Sequence, residues 1–204
     1  MQIAILSFDG FNEIDSFIAL SILNRMRPMG WRAWITAPTD MVTSMNGVVV
    51  QAQKPLGFAS EADAVIVGSG IHTRAFAADR ALMDQLQIDP ARQLIGSQCS
   101  GALILKALGL IEGVPACSDP QTRPVLEAAG VDVIEQGFIA HGNIASAGGC
   151  LASHYLAAWL ILRGAGPAAV EDIITYVSPV GEAPDYVARV MAAVGRFALE
   201  SGSV

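Results

Sequence analysis

Charged residues are scarce in this sequence, and basic residues are the scarcer kind. Only 15% of the 204 residues are charged, and 12 Lys and Arg stand against 19 Asp and Glu, for a formal net charge of −7. Phosphates bind proteins through Lys and Arg that replace their counterions, so this balance argues against nucleic acids and anionic membranes as partners. Hydrophobic residues make up 52% of the chain. That share excludes a disordered protein and predicts a large buried core.

Long hydrophobic runs and a basic leader are also missing. The longest strongly apolar run, residues 155–162, is far shorter than the roughly 20 residues that span a bilayer. Residues 1–5 contain no Lys or Arg, so they predict a first β-strand rather than a signal peptide. We therefore expect no membrane partner and a cytoplasmic location.

Cysteine and histidine are few and scattered. The three cysteines are Cys99, Cys117 and Cys150, and the three histidines are His72, His141 and His154. An odd number of widely spaced cysteines does not form a disulfide framework. The sequence has no CxxC pair and no Cys–His pair at the spacing of metal ligands, so we predict neither a metal site nor an organic cofactor. Cys117 and Cys150 are interpreted as packed, ordinary thiols.

Apolar segments alternate between strand and helix character along the whole chain. The predicted strands cover residues 2–8, 31–37, 48–52, 64–68, 94–97, 115–118, 131–134, 138–141 and 144–146. The predicted helices cover residues 14–26, 73–87, 101–108, 122–129, 149–163, 168–176 and 185–199. Such alternation is typical of an α/β protein with a mostly parallel sheet. We expect a three-layer sandwich, flavodoxin-like in its layering with helices on both faces, as a single domain over residues 1–204.

Three predicted strands end in polar or glycine-rich segments, at residues 9–15, 68–72 and 97–101. Ligands of open α/β sheets bind beyond such strand ends. At the third of these segments a buried strand runs into a helix with Cys99 at the turn and Gly101 two residues later. This arrangement is that of a nucleophile elbow, where the helix N-terminus would lower the pKa of the thiol. The alternative is a cysteine that only fills space.

The order of several motifs resembles the ThiJ/PfpI superfamily, which has the class I glutamine amidotransferase-like fold. The matching segments are residues 8–15, with the family acid at Asp15, Gly68-Ser69-Gly70, the elbow Cys99-Ser100-Gly101, residues 108–113 and residues 142–149. The resemblance covers about residues 1–175. It is closest to isonitrile hydratases, which carry an Asp in the first loop and Ser or Thr after the cysteine, whereas protease-like members carry His there.

The resemblance implies a cysteine-dependent hydratase, a lyase that adds water to a small electrophilic carbon, as in the conversion of an isonitrile to an N-substituted formamide. Cys99 would attack this carbon, and Asp15 would orient the thiol and transfer the proton. The backbone N–H groups of Gly70 or Ile71 and of Ser100 would hold developing negative charge.

Two further residues are expected at the pocket. His72 follows a strand end, and Asp119 stands where the family commonly has His. An ionised Asp119 near Cys99 would raise the pKa of the thiol. The implied partners are a small-molecule substrate and a second copy of the chain in a homodimer. The alternatives are a glyoxalase or deglycase of the same superfamily, and a ligand-binding or redox-sensing module that uses the same thiol.

Overall fold

A seven-stranded sheet organises the computed structural model, which describes residues 1–198. The strands of the described residues are β1 (Gln2–Leu6), β2 (Arg32–Ala37), β3 (Met41–Thr43), β4 (Val49–Gln51), β5 (Lys54–Pro55), β6 (Ala64–Val67), β7 (Leu94–Gln98), β8 (Phe138–His141) and β9 (Ile144–Ala147). Of these, β3 and β4 lie outside the seven-stranded sheet. The sheet has the order β5-β2-β1-β6-β7-β9-β8. Its strands are parallel except for β8, which runs antiparallel to β9. The predicted mostly parallel sheet is confirmed.

The α-helices of the described chain lie on both faces of this sheet. They are α1 (Glu13–Leu23), α2 (Phe58–Glu61), α3 (Thr73–Ala78), α4 (Arg80–Met83), α5 (Ala102–Ala107), α6 (Arg123–Ala128), α7 (Ser153–Ala165), α8 (Pro167–Val177) and α9 (Ala183–Val194). Short 3₁₀ turns cover Asn24–Met29, Cys99–Gly101, Cys150–Ala152 and Gly195–Phe197.

The central strands build two separate cores because successive side chains of a strand point to opposite faces. Ile3 and Ile5 of β1 pack into the core that also contains α1, α7, α8 and α9. Ala4 and Leu6 of the same strand pack into the core on the other face, with α2 to α6. Because both faces of these strands are buried, their sequences are continuous runs of apolar residues. The three-layer sandwich expected from the sequence is therefore confirmed.

Two of the predicted strands and one of the predicted helices are wrong. Residues 115–118 and 131–134 contribute only the isolated bridge between Ala116 and Val133. The helix predicted over residues 73–87 is two short helices, because Asp79 is extended (φ −80°, ψ 99°) and its carboxylate caps α4 by accepting from the Leu82 N–H at 3.1 Å. A capping Asp ends one helix and starts the next, which apolar periodicity alone does not reveal.

Other predicted helices differ at their ends. The segment predicted over residues 14–26 leaves the α-helical form after Leu23, and Pro28 lies within the 3₁₀ turn that follows. The helix predicted over residues 149–163 begins with a 3₁₀ turn, and its α-helical part starts at Ser153. Of the segment predicted over residues 185–199, the α-helix ends at Val194, and residue 199 lies outside the described residues.

Asn46 and Gly47 form the turn that their sequence predicts. They connect β3 to β4 in a small antiparallel hairpin outside the main sheet, and Gly47 has φ +85°. The loop between β1 and α1 rests against this hairpin, since the Gly10 N–H donates to the Thr43 carbonyl at 2.7 Å and the Met45 N–H donates to the Phe11 carbonyl at 2.8 Å. The hairpin therefore fixes the loop that leads to Asp15.

The turn after β7 has the geometry of a nucleophile elbow. Cys99 has φ +47° and is the only non-glycine residue with a positive φ between residues 1 and 198. Such a backbone costs about 1–3 kcal/mol and persists only where the surroundings enforce it. The Ser118 hydroxyl donates to the Cys99 carbonyl at 2.9 Å, and Gly101 lies directly against β6. A Cβ at Gly101 would stand 2.5 Å from the Val67 carbonyl oxygen.

Within residues 1–198, no helix has both the length and the apolar character that crossing a membrane requires.

Gly101→Ala is expected to destabilise the protein by about 1–3 kcal/mol or more, the usual cost of overpacking a tight contact. The added methyl group would meet a backbone carbonyl, which cannot move without shifting β6. Gly57→Ala is the matched control, because Gly57 has φ −59° and a Cβ there would meet no atom within 4 Å. Denaturant unfolding of both variants measures the difference. Equal stabilities for the two variants would contradict the packing argument.

Candidate active site

Cys99 lies at the carboxyl end of β7, at the centre of the sheet and almost out of reach of solvent. Its side chain is 3% exposed. The Gln98 Nε2 group lies 3.5 Å from the Cys99 Sγ atom and donates to the Gly149 carbonyl at 2.7 Å. An amide donor that is held in this way faces the sulfur and favours its thiolate form.

Asp15 approaches the same point from α1. Its side chain is 1% exposed, and its Oδ2 atom accepts a hydrogen bond from the Ser69 hydroxyl. The Ser153 hydroxyl donates to the Asp15 backbone carbonyl at 2.6 Å, which ties α1 to the start of α7. The second carboxylate oxygen, Oδ1, is buried and accepts no N–H or O–H hydrogen bond from residues 1–198.

The loop that precedes α1 lies in direct backbone contact with the loop that carries Ser69. The Asn12 N–H donates to the Ser69 carbonyl at 2.8 Å. A Cβ at Gly70 would stand 2.5 Å from the Gly10 carbonyl oxygen, so only glycine permits this approach. The close contact of the two loops sets the distance between the hydroxyl and the carboxylate.

Burial raises the pKa of Asp15 to about 6. The hydrogen bond from Ser69 and the neighbouring thiols of Cys150 and Cys99 lower the pKa of this carboxyl and offset part of the rise, whereas the charge of Asp119 adds to it. Asp15 is therefore ionised at neutral pH but close enough to its pKa to accept and return a proton. A general acid–base group needs this balance.

Burial also raises the pKa of the Cys99 thiol, and the nearby Asp15 carboxylate raises it further. This direction differs from the expectation that the helix N-terminus lowers the pKa. Desolvation disfavours a buried thiolate, and an adjacent carboxylate disfavours a second negative charge. In the free protein the proton therefore stays on the sulfur while Asp15 is ionised, and the two groups act as a pair.

Cys150 belongs to this site, and the sequence interpretation of a packed thiol is wrong. One carboxylate oxygen of Asp15 and the Sγ atoms of Cys99 and Cys150 all lie within 4.8 Å of one another. The Asn12 Nδ2 group donates to the Cys150 Sγ atom at 3.1 Å, and Cys150 is only partly buried. Carboxylate and thiolate groups are ligands of thiophilic metals, so these three residues are also the ones that could hold a metal ion.

The three backbone N–H groups that were expected to hold negative charge differ in whether they already donate a hydrogen bond. The Ile71 N–H donates to the Gly10 carbonyl at 3.0 Å, and the Gly70 N–H donates to the Ser100 hydroxyl oxygen at 3.3 Å. Both are therefore used in holding the loops together. Ser100 is the second residue of the 3₁₀ turn at the elbow, where N–H groups have no acceptor within the helix.

His72 and Asp119 lie at the edges of the site. His72 is exposed, and its ring packs edge-on against Phe76 with centroids 6.4 Å apart. Asp119 is half-buried, and its Oδ1 atom accepts from the N–H groups of Gln121 and Thr122 at 2.9 and 3.0 Å. Its charge raises the pKa of both Asp15 and Cys99, although burial is the larger cause for each.

Two cavities adjoin the site. The larger has a volume of about 700 Å³ and includes Cys150 and Gly149 in its wall. Its outer wall comes from α8 and α9 through Ile174, Val177 and Tyr186. The smaller, of about 480 Å³, is lined by Asp119 and shares Gly149 with the first. Cys150 therefore faces open space, whereas Cys99 lies behind it.

Cys117 stands apart from the other two thiols. Its side chain is fully buried, and burial raises its pKa to about 12. The interpretation of Cys117 as an ordinary packed thiol agrees with these properties. It therefore serves as an internal control for the reactivity of the other two cysteines.

Comparisons with known proteins agree with this fold. A model of the DJ-1/PfpI family matches residues 1–162. Among solved structures, Schizosaccharomyces pombe DJ-1 superposes with a TM-score of 0.76 at 18% identity, over 88% of this chain and 100% of that one. A ThiJ/PfpI family protein from Pseudomonas syringae gives 0.75 at 22% identity, over 96% and 88% of the two chains. Drosophila melanogaster DJ-1beta gives 0.76 at 19%, over 86% and 96%.

The curated proteins contain no significant match to this chain. The structural similarities lie below 25% identity, so they establish the fold and leave the reaction open. The family match covers β1 to β9 and most of α7, which include Asp15, Cys99 and Cys150. On the strength of that match, this chain belongs to the DJ-1/PfpI family.

Proposed function

We propose that the protein is a cysteine-dependent hydratase that adds water to a small electrophilic carbon, as in the conversion of an isonitrile to an N-substituted formamide. The observation that carries this proposal is the pairing of Cys99, on a strained elbow, with the buried Asp15 carboxylate. A thiol and a carboxylate that share one proton supply a nucleophile and an acid–base group at the same point.

In the first step, Asp15 takes the proton from the Cys99 thiol as the sulfur attacks the terminal carbon of the isonitrile. A carbon–sulfur bond forms, and the carbon gains negative charge. Asp15 returns the proton to this carbon, which gives a thioformimidate joined to Cys99. The Gln98 amide beside the sulfur favours its negative charge at the moment of attack.

In the second step, water adds to the same carbon while Asp15 takes a proton from the water molecule. Asp15 gives this proton to the nitrogen, and it then takes the hydroxyl proton as the oxygen forms the carbonyl and the carbon–sulfur bond breaks. The N-substituted formamide leaves, and Asp15 returns the last proton to the Cys99 thiolate. Cys99 and Asp15 return to their starting protonation states, so one isonitrile and one water give one formamide. The Ser100 N–H, within the elbow turn, would stabilise the negative charge that develops on this oxygen.

The burial of Cys99 favours a small reactive group over a peptide. At 3% exposure, the sulfur cannot meet a peptide bond without rearrangement of the loops, whereas the terminal carbon of an isonitrile is narrow. The proposed base is a carboxylate rather than the imidazole of protease-like members, and His72, the histidine expected at the pocket, is exposed. The homodimer stays a prediction from the family resemblance, and the cytoplasmic location stays a prediction from the sequence.

Cys99→Ala is expected to abolish turnover of an alkyl isonitrile, because Cys99 is the thiol that the elbow holds to form the covalent intermediate. Cys117→Ala is the matched control and should keep the parent rate, since Cys117 lies in the core away from the site. Formamide production by chromatography measures both. Methylglyoxal and a peptide, tested in parallel, identify a glyoxalase or a protease instead. Parent rates in Cys99→Ala would refute the proposed nucleophile.

The rate of the parent enzyme is expected to fall as the pH falls through about 6, because Asp15 has its pKa there and accepts a proton only when ionised.

Ser69→Ala removes the hydrogen bond that lowers the pKa of Asp15, so the acid limb of the pH profile should move to higher pH. Asp15→Asn should lower the rate by about 10²-fold or more. A flat profile between pH 5 and 7, measured with chelator present, would exclude Asp15 as the base.

A further inference from the structure

Three residues from separate parts of the chain place metal-ligating atoms in one small volume. The Sγ atoms of Cys99 and Cys150 and a carboxylate oxygen of Asp15 lie within 4.8 Å of one another. In tetrahedral zinc sites, metal–ligand distances of about 2.3 Å for sulfur and about 2.0–2.2 Å for oxygen place the ligand atoms roughly 3.5–3.8 Å apart. Small side-chain adjustments would therefore bring all three atoms onto one ion.

Asp15 has an unfilled bonding position at this point. Its side chain is 1% exposed, Ser69 occupies Oδ2, and Oδ1 accepts no N–H or O–H hydrogen bond within residues 1–198. A buried carboxylate oxygen loses its interaction with water, and the neighbouring thiols of Cys99 and Cys150 are weak donors that offset only part of that loss. A cation between the carboxylate and the two sulfurs would supply that partner.

Each sulfur also has an amide donor beside it. Asn12 Nδ2 donates to the Cys150 Sγ atom at 3.1 Å, and Gln98 Nε2 lies 3.5 Å from the Cys99 Sγ atom. The Gln98 amide is held in place by its 2.7 Å hydrogen bond to the Gly149 carbonyl. Outer-shell donors of this kind orient metal ligands and stabilise their negative charge.

We propose that Asp15, Cys99 and Cys150 form a binding site for a thiophilic divalent cation of the Zn²⁺ class. Two thiolates favour zinc over magnesium or calcium, which prefer oxygen ligands. Three protein ligands leave the fourth position for water, and Cys150 in the wall of the larger cavity gives the ion a path of entry. The site is independent of the hydratase proposal, although a bound ion would occupy the same nucleophile.

Co²⁺ titration of the reduced protein tests the site, because thiolate ligation produces a charge-transfer absorption band in the near ultraviolet. We expect the band to saturate at one Co²⁺ per chain and to disappear when Zn²⁺ displaces it. Cys99→Ala and Cys150→Ala should each remove most of the band. Asp15→Asn should weaken binding about 10-fold or more, at least the loss that an outer-shell partner produces. Cys117→Ala is the matched control and should titrate as the parent does.

A second measurement uses the parent protein and needs no variant. Zn²⁺ should protect Cys99 and Cys150 from alkylation, as peptide mass spectrometry shows, and an added chelator should remove the protection. Absence of the Co²⁺ band, its persistence in Cys150→Ala, or alkylation of Cys150 unaffected by Zn²⁺ would each overturn the proposal. None of these measurements uses a substrate, so failure of the hydratase assay leaves them unchanged, and their failure leaves that assay unchanged.

Discussion

A carboxylate kept out of water at the end of the sheet is the constraint on which the rest of the site depends. The pKa of Asp15 rises from 3.8 to about 6, which corresponds to about 3 kcal/mol of folding free energy lost at neutral pH. The folded chain holds this proton more tightly than the unfolded chain. The loss is therefore absent below pH 3.8 and complete above about pH 6. This loss is already reduced by the hydroxyl of Ser69 and the nearby thiols, which lower the pKa of Asp15.

Backbone strain at the elbow lowers the stability of the folded chain a second time at the same site. Cys99 keeps a left-handed conformation that few residues adopt, and the contact between Gly101 and the Val67 carbonyl leaves the turn no room to relax. Strain and burial thus hold the sulfur at one position relative to Asp15. For the proposed reaction, rigid placement of these two groups would lower the barrier by more than the stability that it removes.

The sequence was sufficient to predict the fold class, and the structure brings Asp15 and Cys99, which were expected in one site, within 4.8 Å of each other. Alternation of strands and helices predicts the sheet because it reflects local periodicity, and Cys99 and Asp15 lie within recognisable motifs. Cys150 was missed because its importance arises only when β9 lies beside β7 and brings the start of α7 to the elbow. The raised pKa of Cys99 was missed for a related reason. The helix N-terminus is visible in the sequence, whereas the depth of burial that outweighs it is a property of the assembled layers.

The wall of the larger cavity comes from two parts of the chain, one inside the segment that matches the family model and one outside it. The inner wall contains Cys150, beside Cys99 and Asp15. The outer wall comes from α8 and α9, beyond the segment that matches the family model. Changes in those two helices would alter the shape offered to a ligand and leave the elbow untouched. For the proposed hydratase, selectivity and reactivity are therefore separable, because substitutions in α8 and α9 would change which molecules enter the cavity while Cys99 and Asp15 stay in place.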